Sequence, residues 1–285
     1  MYLKQLHNCY KIFSYLTLYF LSATSHDKTL RIIGGRDAAP GEFPFALKMD
    51  LKFENKNGTT EYSHQCTCSL LKSTWSLTAG HCIIALRKYT SVSSKIKGVI
   101  RYNISSVHEP PYSYILSTFL HPSFDISSTF VSNDIGLLLS EKVVIFSFAK
   151  LSSVDYLSLF GSKVLSLGFG VTKDSIGYYD DAYRVNKSLQ VLDSIITKCF
   201  ITNAYPSFCL GGNCGQSSFL CPGDSGGPVM HTSGLVGINT GTLDILNCGK
   251  KVNNPNIKFQ SFSGIITPTS HYIDWITNMI QSNSP

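Results

Sequence analysis

Short apolar runs that alternate every second residue, broken by clusters of Gly, Pro, Asn and Ser, restrict the fold of this 285-residue chain more than any other feature. In FALKMDLKF (45–53), Phe45, Leu47, Met49, Leu51 and Phe53 alternate with smaller or charged residues. A period of two puts one set on a single face, so the segment predicts a half-buried strand. Similar runs recur at SLL (69–71), DIGLLL (134–139), KVLSLGFG (163–170), SLQVL (188–192) and LVGIN (235–239). Many short strands between turn signals predict an all-β sandwich or barrel. One helix is expected, at the end. In SHYIDWITNMI, Tyr272, Trp275, Ile276, Met279 and Ile280 fall on a single stripe that would dock on the core.

Hydrophobic residues make up 43% of the chain and charged residues 15%, which supports a packed core and excludes wholesale disorder. The amino terminus reads as a secretory signal over residues 1–25. Lys4, His7 and Lys11 precede the apolar IFSYLTLYFLSA, then the small-residue stretch SATS. That run is shorter than the roughly 20 residues a membrane span needs, so an exported, soluble product is expected. The formal charge of +6 falls to 20 basic against 17 acidic residues beyond position 31, with no Lys/Arg block, and gives no case for nucleic acid.

Nine cysteines fit an oxidising destination. Cys9 lies in the signal, leaving Cys66, Cys68, Cys82, Cys199, Cys209, Cys214, Cys221 and Cys248, an even set that predicts disulfides without fixing their pairing. HQCTC (64–68) has no second half at zinc-like spacing, so no metal is expected. Asn57, Asn103 and Asn186 begin N-x-S/T sequons, candidate glycosylation sites. His64, His108, His121, His231 and His271 are expected in turns or on the surface.

CPGDSGGPV (221–229) places Ser225 among glycines and prolines. As G-x-S-x-G it would be a strand-to-helix elbow, but Gly226, Gly227 and Pro228 oppose a helix after the serine, Gly by ~1 and Pro by ~3 kcal/mol per residue. A serine hydroxyl needs a base and a group to orient that base. Upstream, SLTAGHC (76–82) offers His81 and NDIGLLL (133–139) offers Asp134. The motifs TAGHC, DIGLL and GDSGGP, in that order, resemble those of the trypsin/chymotrypsin-like serine proteases, with Gly136 where the family has alanine. RIIGG (31–35) is similar to the family's activation site. GEFPF (41–45), HPSF (121–124) and ITPTSHYIDWI (266–276) extend the likeness over roughly residues 32–280.

The resemblance implies two packed six-stranded antiparallel β-barrels with a C-terminal helix, the halves meeting near residues 145–160. It implies a short propeptide, 26–31, and a protease domain, 32–285. It implies a secreted serine endopeptidase with His81 as general base, Asp134 orienting it, and Ser225 as nucleophile. The amides of Gly223 and Ser225 would form the oxyanion hole. Cleavage after Arg31 would free Ile32 to pair with Asp224. Implied disulfides are Cys66–Cys82, Cys199–Cys209 and Cys221–Cys248. Cys68 and Cys214, which lack family counterparts, are left as a candidate fourth bridge. The specificity pocket would be formed by Phe219, Thr240, Thr242 and Gly264. Phe219 stands where trypsin-like members carry an aspartate, and with Thr242 it would partly block the pocket, favouring small or apolar residues over Lys or Arg. Gly241 replaces the usual tryptophan, which implies a weaker grip on the substrate strand. Implied partners are protein or peptide substrates, an activating protease of tryptic specificity and serine protease inhibitors, acting on a monomer without a cofactor. The alternative is a catalytically silent protease-fold binding protein; such loss usually removes a triad member, and all three are present.

Overall fold

The computed structural model describes residues 35–55, 57–103, 110–127, 131–170, 188–199, 204–211, 219–241 and 263–283. Strands follow in chain order as β1 (Arg36–Asp37), β2 (Ala46–Glu54), β3 (Thr60–Lys72), β4 (Trp75–Thr78), β5 (Ile96–Arg101), β6 (Tyr112–Leu120), β7 (Asp125–Ile126), β8 (Val131–Ser132) and β9 (Gly136–Ser140). After them come β10 (Lys163–Gly168), β11 (Gln190–Thr197), β12 (Phe208–Gly211), β13 (Pro228–His231), β14 (Gly234–Gly241) and β15 (Gly264–Pro268). The helices are α1 (Gly80–Val92) and α2 (Ile273–Ser282).

Strands β2-β3-β4-β9-β6-β5 close into one antiparallel barrel. In the second sheet, β10, β13, β14, β15, β12 and β11 form a ring, because β11 pairs with both β10 and β12. The expected all-β, chymotrypsin-like architecture is thus present. Each half lends an end to the other. β1 adds to β11, while Tyr272, in the turn before the terminal helix, and Ile276 and Ile280 of that helix join the core cluster of the first barrel. The helix stripe predicted for SHYIDWITNMI therefore docks as expected. Closed rings leave few free edges to pair with other chains.

Two sequence expectations change. α1 was not anticipated. Its buried residues Cys82, Ile83 and Leu86 are offset by exposed Ile84, Tyr89 and Val92, which blur the stripe. β2 is buried on both faces through Leu51, not half-buried: Lys48 and Asp50 are 0% and 1% exposed. The alternation in FALKMDLKF is real, but on the face expected to meet water Lys48 lies against Phe169 of the second half and Asp50 pairs with His64 and Arg101. No helix among the described residues is long and apolar enough to cross a membrane.

Candidate active site

β4 ends at Thr78, and the chain turns at Ala79 into α1, so His81 sits in the first helical turn. Gly80 leaves the turn its room: a β-carbon there would lie 2.8 Å from Phe124 Cδ2 and 2.9 Å from Leu120 Cδ1. Asp134 precedes β9 and is 1% exposed. Its Oδ1 accepts the His81 backbone N–H at 2.8 Å, and its Oδ2 lies 2.8 Å from His81 Nδ1. The carboxylate thus grips both the backbone and the ring of the same residue. Asn133 adopts a left-handed φ of 50° to deliver it. Asn133 is anchored by its own amide to Ser123 O at 2.7 Å and by the Tyr272 hydroxyl at 3.0 Å, so HPSF and the final helix both support the turn. At Gly136 a β-carbon would overlap Ile83 Cδ1, which accounts for glycine where alanine was the expected residue.

Burial by itself would lower the pKa of His81; the charge and hydrogen bond of Asp134 outweigh it and raise it. A carboxylate on Nδ1 also leaves Nε2 as the proton-accepting nitrogen of the neutral ring.

Ser225 lies in a loop tied at several points. Thr67 N donates to Ser225 O at 2.8 Å, Gly226 N to Asn239 O at 2.7 Å and Gly227 N to Asp224 O at 3.0 Å. Gly226 has φ 78°, and a β-carbon there would overlap Thr78 Oγ1 and Thr67 O, so only glycine fits behind the serine. Gly223 has φ 97°. Among the described residues, the Gly223 and Ser225 amides donate to no acceptor. His81 and Ser225 line one cleft of about 240 Å³ with Leu220, Cys221, Pro222, Asn239, Thr240 and Gly241.

Asp224 is wholly buried. Its Oδ2 accepts Cys221 N–H at 2.8 Å and its Oδ1 accepts Gly170 N–H at 2.7 Å. The carboxylate fills a cradle that β-carbons at Gly168 or Gly170 would occupy. The activation residues Arg31 and Ile32 lie outside the described residues.

Cys66–Cys82 ties β3 to α1 beneath His81, and Cys199–Cys209 closes a loop against β12. Cys221 is disulfide-bonded; Cys248 and Cys214 lie outside the described residues. Cys68 is a correction. It is a free thiol, 0% exposed inside the first barrel, not joined in the candidate fourth bridge. The donor atoms of Cys66, His81 and Cys82 lie within 4.8 Å of one another, but both sulfurs are already in the disulfide and hold no metal.

Phe219 is 6% exposed; its neighbour Leu220 is among the described residues that line the cleft. Leu220 also fills the space over Gly264, where a β-carbon would overlap its Cδ1. Thr240 lines the cleft and pairs its hydroxyl with Thr267 at 2.6 Å. Thr242 lies outside the described residues. Among the described residues, a β-carbon on Gly241, where the family's tryptophan would stand, meets nothing within 4 Å. Of the sequons, Asn57 and Asn103 are exposed, and Asn186 lies outside the described residues.

The other histidines divide. His231 ends β13 with its ring bonded to Ser233, and His121 packs between Tyr272 and Trp275 at 5.0 Å from each ring. His108 is outside the described residues. His64 is a second correction, being 6% exposed on β3 and paired with Asp50.

The family model for trypsin matches residues 32–276. This chain belongs to the trypsin family. Its relatives include "Serine protease 1" of Homo sapiens, 28% identical over 275 residues, covering 92% of this chain and 94% of that protein. "Coagulation factor IX" of Cavia porcellus is 28% identical over 268 residues, covering 89% and 83%. "CLIP domain-containing serine protease B9" of Anopheles gambiae is 27% identical over 288 residues, covering 88% of this chain and 64% of its own length. As a member of the trypsin family, the chain is a serine endopeptidase of the trypsin/chymotrypsin type.

Proposed function

We propose that this trypsin-family protein is a secreted endopeptidase in which Ser225 is the nucleophile and His81 its general base. His81 takes the hydroxyl proton as Ser225 attacks the peptide carbonyl, then gives it to the leaving amine. Water hydrolyses the acyl-enzyme by the same route in reverse. Asp134 holds the ring and stabilises the imidazolium that forms. The observation that carries this reading is the double grip of Asp134 on His81, 2.8 Å to the backbone N–H and 2.8 Å to Nδ1, in a cleft shared with Ser225. The undonated amides of Gly223 and Ser225 would bind the oxyanion, a role worth about 10²–10³ in turnover per donor.

The protein is made as a zymogen. Cleavage after Arg31 by a protease of tryptic specificity frees the Ile32 ammonium, which pairs with Asp224. Support comes from the depth of that carboxylate, wholly buried on two backbone donors. A buried charge without its counter-charge costs several kcal/mol, so the uncut chain would not hold the loop as firmly. The pocket takes small or apolar side chains, since Leu220 fills it and no acidic residue lines the cleft among the described residues. Folded inhibitor proteins that present such a side chain would bind the same cleft. Purified protein carrying residues 26–31 should hydrolyse peptide anilides only after limited tryptic cleavage, and Arg31→Gln should block that gain. Full activity in uncut Arg31→Gln protein would refute the zymogen reading.

A further inference from the structure

A cluster of ionisable residues lies buried on the outward face of the first barrel, where the sequence pattern expects water. It arises from a bulge. Met49 pairs with Cys66 but Asp50 pairs with His64, so Gln65 is the extra residue. Paired residues share a face, so the bulge moves His64 onto the side that carries Asp50 and turns it away from the core side of Cys66. Lys48 and Arg101, paired across β2 and β5, share that outward side.

His64 Nδ1 lies 2.8 Å from Asp50 Oδ1, and Asp50 Oδ2 accepts from Arg101 Nη1 at 3.1 Å. The Arg101 guanidinium lies 4.2 Å from the centre of the Tyr62 ring, yet its Nε and Nη2 find no hydrogen-bond partner among the described residues. Buried ions so incompletely paired are poor stabilisers. The far side of the His64 ring meets the nucleophile loop. Nε2 is 3.1 Å from Gly223 O, which also accepts the Thr67 hydroxyl at 2.8 Å. The Nε2–Cδ2 edge of the ring closes the space beside the glycine: a β-carbon at Gly223 would sit 2.9 Å from His64 Cδ2 and 3.0 Å from Nε2.

We propose that His64, oriented by Asp50, is a positioning residue for the loop that carries Gly223 and Ser225. Its ring fills the space behind Gly223, which keeps the two amides directed into the cleft. This rests on the oxyanion role proposed above for those amides. Both atoms facing the ring nitrogens are acceptors, so both bonds form only when the ring carries two protons. Burial and then the Lys48 charge favour the neutral ring, while Asp50 favours the cation; burial prevails. With a single proton, the carboxylate keeps it on Nδ1. The Gly223 carbonyl then relies on Thr67 for its hydrogen bond, and the ring acts by filling the space behind it. Touching no substrate, His64 works through the loop, so its loss should cost less than loss of an oxyanion donor itself.

The test uses tryptically activated full-length protein, with kcat and KM separated on a peptide anilide and with titration of a peptide boronic acid, which forms a tetrahedral adduct on serine. His64→Ala is expected to lower kcat about tenfold, leave KM within about twofold, and weaken the boronate by the same factor as kcat. Asp50→Asn keeps an acceptor for Nδ1 and should show a smaller loss of the same kind. His64→Gln, which still fills the space and can donate to the carbonyl, should recover most of the kcat. A folded His64→Ala protein with unchanged kcat, or with a loss confined to KM, overturns the proposal. If His64→Ala shows no cooperative thermal melt, Asp50→Asn and Thr67→Val carry the test, and wild-type kcat in both overturns it. A wild-type protein that neither cleaves peptides nor binds the boronate would instead sink the protease reading, and the brace with it. An active wild type with unaffected variants sinks the brace alone.

Discussion

Leu220→Ala should change which side chain the enzyme accepts before the scissile bond. Leu220 is 2% exposed, lines the cleft beside Ser225 and lies where a β-carbon on Gly264 would have to go. The substitution removes three carbons from the pocket. At about 0.8 kcal/mol per buried CH₂, a substrate side chain that refills the space could gain about 2.4 kcal/mol, or about 60-fold in kcat/KM. Partial collapse of the walls should reduce this to about tenfold. Leu220 also packs among Phe208, Val229 and Ile266, so the variant should lose about 2 kcal/mol of stability, the low end for a buried leucine because the new space opens to the cleft. The assay compares kcat/KM for matched peptide anilides bearing Ala or Leu before the bond. Wild type should favour Ala, and the variant should shift the ratio toward Leu by about tenfold. A ratio within twofold of wild type, or preference for Arg or Lys in either protein, would refute the assignment of Leu220 to the pocket.

Acidification should inactivate the enzyme as His81 gains its proton. Because Asp134 raises the His81 pKa against burial, the midpoint of that loss in kcat/KM should lie above about 6.5, the ordinary imidazole value. Asp134→Asn removes the opposing charge and leaves burial to act, so any residual activity should show its midpoint moved downward; an unmoved midpoint would contradict the pairing. Gly226→Ala should cost at least 2 kcal/mol, roughly the strain of a non-glycine left-handed residue plus overlap with Thr67 O and Thr78 Oγ1, measurable as a lower urea midpoint. Cys68 should stay unreactive to thiol reagents in the folded protein, since burial pushes its thiol far above the ordinary range, and should react fully once the chain is unfolded. Rapid labelling of the native protein at Cys68 would count against that placement.

The strand pattern and three short motifs carried most of the fold and the cleft. Leu47, Met49 and Leu51 line the first barrel as their alternation requires, and His81 meets Asp134 where the motif order implies. What the sequence hid depends on contacts between the halves. Lys48 and Asp50 look solvent-facing in a strand read alone, yet Lys48 lies against Phe169 of the second half and Asp50 is covered with His64 and Arg101. His64 reads as a turn or surface residue because a histidine between polar neighbours carries no sign of the bulge that places it on the buried side of Asp50. α1 was missed because exposed Ile84 and Val92 dilute its apolar face. Phe219 is the residue the family likeness points to, and nothing in the sequence marks its neighbour Leu220 as part of the cleft lining. Cys68 shows the limit of cysteine counting, since an even total hid one residue packed as a small hydrophobe.

Covalent labelling of the activated protein with a fluorophosphonate, followed by peptide mass mapping, tests most directly whether a relay from Asp134 through His81 makes Ser225 reactive. One adduct on Ser225 is expected, absent from Ser225→Ala and strongly slowed in His81→Ala. Activated, folded protein that takes up no label, or takes it at another serine, would contradict the relay.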